Sequence, residues 1–207
     1  MKLKNKYFIL RHGQTIYLTK KKNFIYPRPD KPPVKLTKKG EKQIKTVVKK
    51  LKKRKVDELR SSPRCADACV IDLIFSSDFF RARQTAKIVA EELNKRIYFD
   101  KRLRDINVGI YHGGPKKDYY RDFPTHSKNR FNKKLPKGES WRDCRKRMLN
   151  FLKDIDKRFK GKTILIISHG DPLWLLEGAV KNWSFEKLLK IKINRVNFIK
   201  VGELRKI

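Results

Sequence analysis

Cysteine, long apolar runs and acidic residues are all scarce in this 207-residue sequence. The cysteines are Cys65, Cys69 and Cys144, an odd number without any C-x-x-C pair. Cys65 and Cys69 have no matching Cys/His pair nearby, which disfavours a metal site and favours free thiols in a reducing compartment. No apolar run reaches membrane-spanning length, and no signal-peptide pattern is present. We therefore expect a cytoplasmic protein with no metal, no cofactor and no membrane partner.

The shortage of acidic residues makes the chain strongly basic. Lys and Arg number 55 against 21 Asp and Glu, a formal net charge of +34. Such a charge attracts anions and favours loose association with nucleic acid. The basic residues, however, are spread from Lys2 to Lys206 and form no stripe with interleaved aromatics. A lysine-rich solvated surface is the simpler interpretation, and it leaves only non-specific nucleic-acid binding open.

Alternating strand and helix patterns predict the fold class. Apolar runs at 7–10, 71–75, 96–99 and 163–167 read as strands, and the alternation after Ile191 predicts a last strand over 191–201. Helices are predicted after Thr37, after the cap-like Ser76-Ser77-Asp78, after Ser140 and after Pro172. This order predicts an α/β protein, a three-layer α/β/α sandwich with a mostly parallel sheet.

Three stretches without clear periodicity interrupt the predicted elements of what we expect to be one domain over 1–207. Residues 16–36 hold four prolines and predict an extended loop over the site, where Tyr17, Phe24 and Tyr26 could line a pocket. Residues 57–70 look like an insertion, and residues 110–138 predict an excursion that covers the strand ends.

Cationic residues follow three of the predicted strands. Arg11 and His12 follow the first strand, Arg81 lies a few residues after the second, and His169 follows the late strand. Because the carboxyl ends of parallel strands meet at one edge, these four side chains should surround one point. Two guanidinium groups and two imidazoles suit a phosphoryl group, and helix N-termini after Gly13 and Gly170 would add N–H groups.

The motifs around these residues resemble the histidine phosphatase superfamily, in its phosphoglycerate mutase-like branch. They are Arg11-His12-Gly13-Gln14-Thr15, Leu36-Thr37-Lys38-Lys39-Gly40, residues 76–86, Leu103-Arg104-Asp105, Gly138-Glu139-Ser140 and Ser168-His169-Gly170. The resemblance implies that His12 is the nucleophile and forms a phosphohistidine. It implies that Arg11, Arg81 and His169 hold the phosphoryl oxygens, and that His169 is also a catalytic residue. It further implies that Gln14 and Gly170 bind the substrate.

The reaction also needs a carboxyl group that gives a proton to the leaving oxygen and later takes one from water. Members of the family usually have Glu where this chain has Asp105, which shortens the reach by one methylene. Asp171 and Glu139 are alternative candidates. Asp105 could also be a plain surface carboxylate that is paired with Arg102 or Arg104.

A phosphatase fits the sequence better than a mutase. Mutases of the family carry Trp-Asn and a longer insertion after the first motif, where this chain reads Ile16-Tyr17-Leu18-Thr19. We therefore expect metal-independent hydrolysis of a small phosphorylated metabolite, with lysines 20–22 and Arg28 available for a second anionic group. The alternatives are mutase-type phosphoryl transfer and a non-catalytic polyanion- or RNA-binding protein on the same fold.

Overall fold

One five-stranded sheet organises the computed structural model, which describes residues 1–20, 22–61, 71–125 and 128–207. The strands are β1 Lys6–Arg11, β2 Leu73–Ser76, β3 Ile97–Phe99, β4 Thr163–Ser168 and β5 Leu204–Lys206, in the order β3-β2-β4-β1-β5. The pairs β1–β4, β4–β2 and β2–β3 are parallel, and only the edge pair β1–β5 is antiparallel. The predicted mostly parallel sheet is confirmed.

Helices cover both faces of this sheet, as predicted for a three-layer sandwich. They are α1 Lys38–Ser61, α2 Phe80–Leu93, α3 Lys116–Asp122, α4 Trp141–Arg158, α5 Gly170–Val180 and α6 Phe185–Asn194. Side chains alternate along β1, so that Tyr7 and Ile9 pack with α4 and α5, whereas Phe8 and Leu10 pack with α1 and α2. β4, buried along its whole length, contributes to both cores.

The sequence predicted α4 well because its signals are local. Ser140 and Asp143 form a capping box, in which each side chain accepts a hydrogen bond from the other residue's backbone N–H. The predicted apolar stripe faces the sheet and is fully buried at Cys144, Met148, Phe151, Leu152 and Ile155. Cys144 is a free thiol, and Cys65 and Cys69 lie outside the described residues.

The structure corrects two predicted segments, the strand over 191–201 and the insertion over 57–70. The strand predicted over 191–201 is wrong, because Ile191 lies in α6 and the last strand is β5. Buried Leu188 and Ile191 are spaced three apart, and Ser184 caps the helix, so the period is helical. Residues 57–61 of the predicted insertion continue α1, and its remainder, 62–70, lies outside the described residues.

The N-cap of α2 was predicted within Ser76-Ser77-Asp78, and this prediction is also wrong. Residue Phe79 occupies the N-cap position without a side-chain cap, while Asp78 pairs with Arg104. The Phe80 N–H instead donates to Asp30 Oδ2 at 2.9 Å, from the proline-rich loop. This loop is thereby tied to the helix that carries Arg81.

Within the ranges given above, no helix is long and apolar enough to cross a membrane.

Candidate active site

Arg11, His12, Arg81 and His169 come together at the carboxyl edge of the sheet, as their positions after three parallel strands predicted. Side-chain burial is nearly complete, with His12 at 1% exposure and Arg81 and His169 at 0%. The two imidazole rings lie 5.2 Å apart, centroid to centroid. Because burying a cationic group is costly, such a cluster needs a compensating anion.

The tautomer and charge of His12 follow from its surroundings. Its Nδ1 lies 2.8 Å from the carbonyl oxygen of Gly13. Since a carbonyl can only accept, Nδ1 carries the ring proton and Nε2 keeps its lone pair. Burial first, and then the charge of Arg81, holds the pKa of His12 well below its ordinary value of 6.5. At neutral pH His12 is therefore an uncharged imidazole with an unprotonated Nε2.

The guanidinium of Arg81 is fixed from two directions. Its Nη2 donates to Asp105 Oδ2 at 3.0 Å, and its Cζ lies 4.0 Å from the centroid of the Tyr26 ring. Within the described residues, its buried Nε and Nη1 have no hydrogen-bond partner. Buried donors of this kind are rarely left unpaired, so they indicate a site for an oxyanion.

Arg11 presents a similar arrangement at the end of β1. Its Nη1 donates to the carbonyl oxygen of Ile199 at 3.0 Å, and its Nε is buried without a partner among the described residues. A Cβ added at Gly170 would lie 3.1 Å from Arg11 Cζ. Gly170 thus lets the guanidinium pack against the backbone at the start of α5.

His169 has one engaged and one free ring nitrogen. Its Nε2 lies 2.9 Å from Ser77 Oγ, which itself accepts a hydrogen bond from the Phe79 N–H. The Ser77 hydroxyl can then donate to Nε2, leaving the proton on Nδ1. This Nδ1 is buried without a hydrogen bond to any described residue and lies 3.7 Å from Asp105 Oδ2. Burial first, and then Arg81, lowers the pKa of His169 well below its ordinary value.

Asp105 makes the shorter of two carboxylate contacts with Arg81, at 3.0 Å, whereas Asp30 Oδ2 lies 4.0 Å from Arg81 Nη1. The pairing with Arg102 or Arg104 considered from the sequence is absent from the described structure, because Arg102 binds Asp100 and Asp154 and Arg104 binds Asp78. Asp105 instead lies against Arg81, with its second oxygen accepting the Ile106 N–H.

The two rival carboxylates are engaged elsewhere. Asp171 forms an ion pair with the buried Lys192. Glu139 forms two hydrogen bonds with Arg147, at 3.0 Å and 2.6 Å, and accepts the Asn107 N–H at 2.8 Å. Within the described residues, neither of them contacts Arg81 or His169, and this separates both from Asp105.

The side chain of Gln14 points toward α1. Its Oε1 accepts from the Thr37 hydroxyl at 3.0 Å, and its backbone N–H donates to Gln43 Oε1 at 3.1 Å. Thr37 in turn accepts the Gly40 N–H, which confirms it as the cap predicted for this helix. Gln14 thus joins the loop that follows β1 to α1, and it does not line the cavity of about 210 Å³ that lies beside Asp105.

A cavity of about 210 Å³ lies between the two loops that cross the strand ends. Tyr17, Phe24 and Tyr26 line one side, as predicted, and Arg11, Asp105 and Gly170 line its inner end. The predicted excursion over 110–138 also contributes to the lining, although the individual residues Tyr119, Tyr120 and Arg130 were not singled out. The contribution of Lys192 in α6 and of Arg195 at its C-cap was not predicted. These residues carry no local motif, and only the tertiary fold brings them to the site.

Comparisons with known proteins place the chain in a family. A sequence profile described as the histidine phosphatase superfamily (branch 1) matches residues 7–69 and 63–203. The probable phosphoglycerate mutase GpmB of Escherichia coli O139:H28 is 27% identical over 206 residues, which cover 92% of this chain and 84% of the relative. The protein of the same name from Yersinia enterocolitica is 27% identical over 173 residues, covering 82% and 71%.

Solved structures share the fold. YhfR of Bacillus stearothermophilus superposes with a TM-score of 0.74 at 24% identity, covering 98% of this chain and 90% of that chain. A mycobacterial glucosyl-3-phosphoglycerate phosphatase gives 0.71 at 19% identity, covering 98% and 89%. The alpha-ribazole phosphatase of Shigella flexneri gives 0.72 at 20% identity, covering 98% and 89%. Because the profile spans nearly the whole chain, the chain belongs to the histidine phosphatase superfamily, branch 1, as its motifs predicted.

Proposed function

We propose that this protein is a cytoplasmic, metal-independent phosphatase that hydrolyses small phosphomonoesters through a phosphohistidine on His12. The observation that carries the proposal is the buried, uncharged His12 with an unprotonated Nε2. Its neighbours Arg11, Arg81 and His169 carry buried donors that have no hydrogen-bond partner among the described residues. A neutral imidazole is a competent nucleophile, and phosphoryl transfer chiefly needs positioning and charge neutralisation. Three cationic or donating side chains supply that neutralisation.

In the first step, Nε2 of His12 attacks phosphorus while the bond from phosphorus to the ester oxygen breaks. The leaving oxygen takes its proton from the carboxylic acid form of Asp105. The position of Asp105 supports this assignment, because the guanidinium that contacts it at 3.0 Å also carries two buried donors without a hydrogen-bond partner among the described residues, which can face the phosphoryl oxygens. The products of the step are the alcohol and phosphohistidine, with Asp105 as carboxylate.

In the second step, the Asp105 carboxylate takes a proton from water. The water oxygen attacks phosphorus, the phosphorus–nitrogen bond breaks, and its electron pair returns to Nε2. Inorganic phosphate leaves, and Asp105 is again protonated for the next turnover. The same carboxyl group therefore serves both steps, and no other proton carrier is needed.

The substrate class is argued from the cavity and from named neighbours. The cavity beside Asp105 offers aromatic walls with cationic side chains, which suits an organic group bearing polar or anionic substituents. Structural neighbours include phosphatases named for glucosyl-3-phosphoglycerate and alpha-ribazole, and one solved with phosphoserine. Because relatives are named probable phosphoglycerate mutase, phosphoglycerate should be among the candidate substrates that are assayed.

The test is hydrolysis of p-nitrophenyl phosphate by wild type and His12→Ala, with a chelator present throughout. We expect activity in wild type, indifference to the chelator, and loss of at least about a thousandfold in the variant. Acid-labile, base-stable phosphate should be trapped on wild type during turnover and be absent from His12→Ala. Full activity in His12→Ala would refute the mechanism.

Asp105→Asn separates the proton carrier from the nucleophile. We expect its kcat to fall by about a hundredfold or more for esters with poor leaving groups, and less for p-nitrophenyl phosphate, whose leaving group needs little protonation. If Asp105→Asn keeps the wild-type kcat for both kinds of ester, Asp105 has no part in the mechanism. Transfer to a phosphoglycerate acceptor instead of water would identify a mutase.

A further inference from the structure

A second cavity, of about 200 Å³, lies on the other side of Asp105. Its charged walls are Arg28, Lys101, Arg104, Arg147, Asp105 and Glu139, and we call it the arginine pocket. Four basic side chains thus face two carboxylates. Asp105 lines both this pocket and the cavity beside the phosphoryl site, so the two cavities share a wall.

Both carboxylates of the arginine pocket already have partners. Asp105 accepts from Arg81 at 3.0 Å, and Glu139 is held by Arg147 at 2.6 Å. The charge of Arg104 is matched by Asp78, through hydrogen bonds of 2.6 Å and 2.5 Å. The cations of Arg28 and Lys101 are left without an ion pair in the described part of the chain.

Arg28 is held in place although it has no acidic partner. Its Cζ lies 5.8 Å from the centroid of the Phe79 ring, and Arg104 Cζ lies 5.3 Å from the same centroid. Arg81 Cζ lies 5.2 Å from it on the side of the phosphoryl site, so three guanidinium groups surround one aromatic ring, and Arg28 and Arg104 are the two that line the arginine pocket. Arg28 Nη1 is buried and has no hydrogen-bond partner among the described residues. Burial, followed by the repulsion of Arg104, lowers the pKa of Arg28.

We propose that the arginine pocket binds a second oxyanion, a phosphate or a carboxylate, between Arg28, Lys101 and Arg104. Such a ligand would pair the two unmatched cations and relieve the repulsion between the two guanidinium groups. The oxyanion has two sources: a second anionic group of the substrate, or a free anion. The first source rests on the proposed function, because the substrate must then reach across Asp105 from the phosphoryl site.

The test compares Arg28→Gln/Lys101→Gln with Arg96→Gln/Lys160→Gln, which removes the same charge. Arg96 and Lys160 are exposed and lie before β3 and β4, at the opposite edge of the sheet from the pocket. The single variant Lys101→Gln, at an exposed position, serves if the double variant does not fold. Circular dichroism of each variant verifies its folding.

The first readout is titration calorimetry with inorganic phosphate. A free anion in the pocket predicts two phosphates per wild-type chain, one in Arg28→Gln/Lys101→Gln and two in the control. This readout needs no catalysis. If wild type hydrolyses no ester at all, the proposed function fails while the phosphate stoichiometry still decides the pocket.

The second readout is kcat/KM for 3-phosphoglycerate and glycerol 3-phosphate, which differ by a carboxylate in place of an alcohol. If the substrate supplies the anion, Arg28→Gln/Lys101→Gln should lose at least about tenfold more on 3-phosphoglycerate than on glycerol 3-phosphate. The control should keep the wild-type ratio. One phosphate per chain in wild type, together with an unchanged ratio in the double variant, would overturn the proposal.

Discussion

Lowering the pH should destabilise the protein through His12, and the size of the effect follows from its burial. A histidine in the unfolded chain takes up a proton near its ordinary pKa of 6.5, whereas burial and Arg81 hold the pKa of folded His12 well below that value. Below pH 6.5 the unfolded state therefore binds more protons than the folded state. Stability is consequently present above pH 6.5 and is lost as the pH falls.

The loss of unfolding free energy can be estimated from the unfolded state alone, because only there does the histidine take up a proton over this pH range. Between pH 7.5 and 5.5, one histidine that stays neutral when folded costs about 1.4 kcal/mol of unfolding free energy. His169, whose pKa is lowered in the same way, contributes equally, so wild type should lose about 3 kcal/mol from the pair. Carboxylates with lowered pKa values lose their contribution at more acidic pH.

The measurement is urea unfolding of wild type and His12→Asn at pH 7.5, 6.5 and 5.5, in buffers without phosphate or sulfate. Asparagine keeps a donor for the Gly13 carbonyl and has no titrating group. We expect the variant to lose about 1.4 kcal/mol less than wild type over this range, whatever its absolute stability. The exposed control Lys160→Asn should follow wild type. Parallel losses in wild type and His12→Asn would show that folded His12 protonates normally, and the nucleophile argument would fail.

Three further substitutions test the supports of the site. Gly170→Ala places a methyl group 3.1 Å from Arg11 Cζ, so kcat/KM should fall about tenfold and product phosphate should inhibit less. Arg147→Lys removes the 3.2 Å bond to the Asp105 carbonyl, so kcat should fall about tenfold or more while the inhibition constant for phosphate stays constant. Tyr26→Phe removes the 2.7 Å hydrogen bond between its hydroxyl and Thr15 but keeps the ring beside Arg81. Urea unfolding should therefore show a loss of about 1 kcal/mol, while kcat/KM changes less than threefold.

The clustering of Arg11, His12 and His169 at one edge of the sheet could be predicted from the sequence, because the signals for it are local. Each of Arg11, His12 and His169 lies at or next to the end of a buried apolar strand, and parallel pairing then brings the strand ends together. Helix α4 was equally predictable, from a capping box and an apolar stripe of helical period. In both cases the information lies within a few residues of the feature.

The errors occurred where distant residues decide the structure. The α2 N-terminus is satisfied by Asp30, 50 positions earlier, so no pattern near Phe80 indicates its cap. Helix α6 contains an Ile-x-Ile alternation that also fits a strand, and packing of Leu188 and Ile191 against the core selects the helix. The arginine pocket likewise depends on residues from three separate segments of the chain.

In the proposed mechanism, the positive charges around His12 link its nucleophilicity to substrate binding. After burial, the charge of Arg81 is the largest influence that lowers the pKa of His12, and it keeps Nε2 unprotonated before substrate arrives. The same charge opposes the positive charge that develops on the imidazole as the phosphorus–nitrogen bond forms. A phosphoryl dianion bound to Arg81 offsets that repulsion, because its negative charge lies between the guanidinium and the ring. The free site thus favours a neutral nucleophile, and the occupied site can accommodate a cationic phosphohistidine.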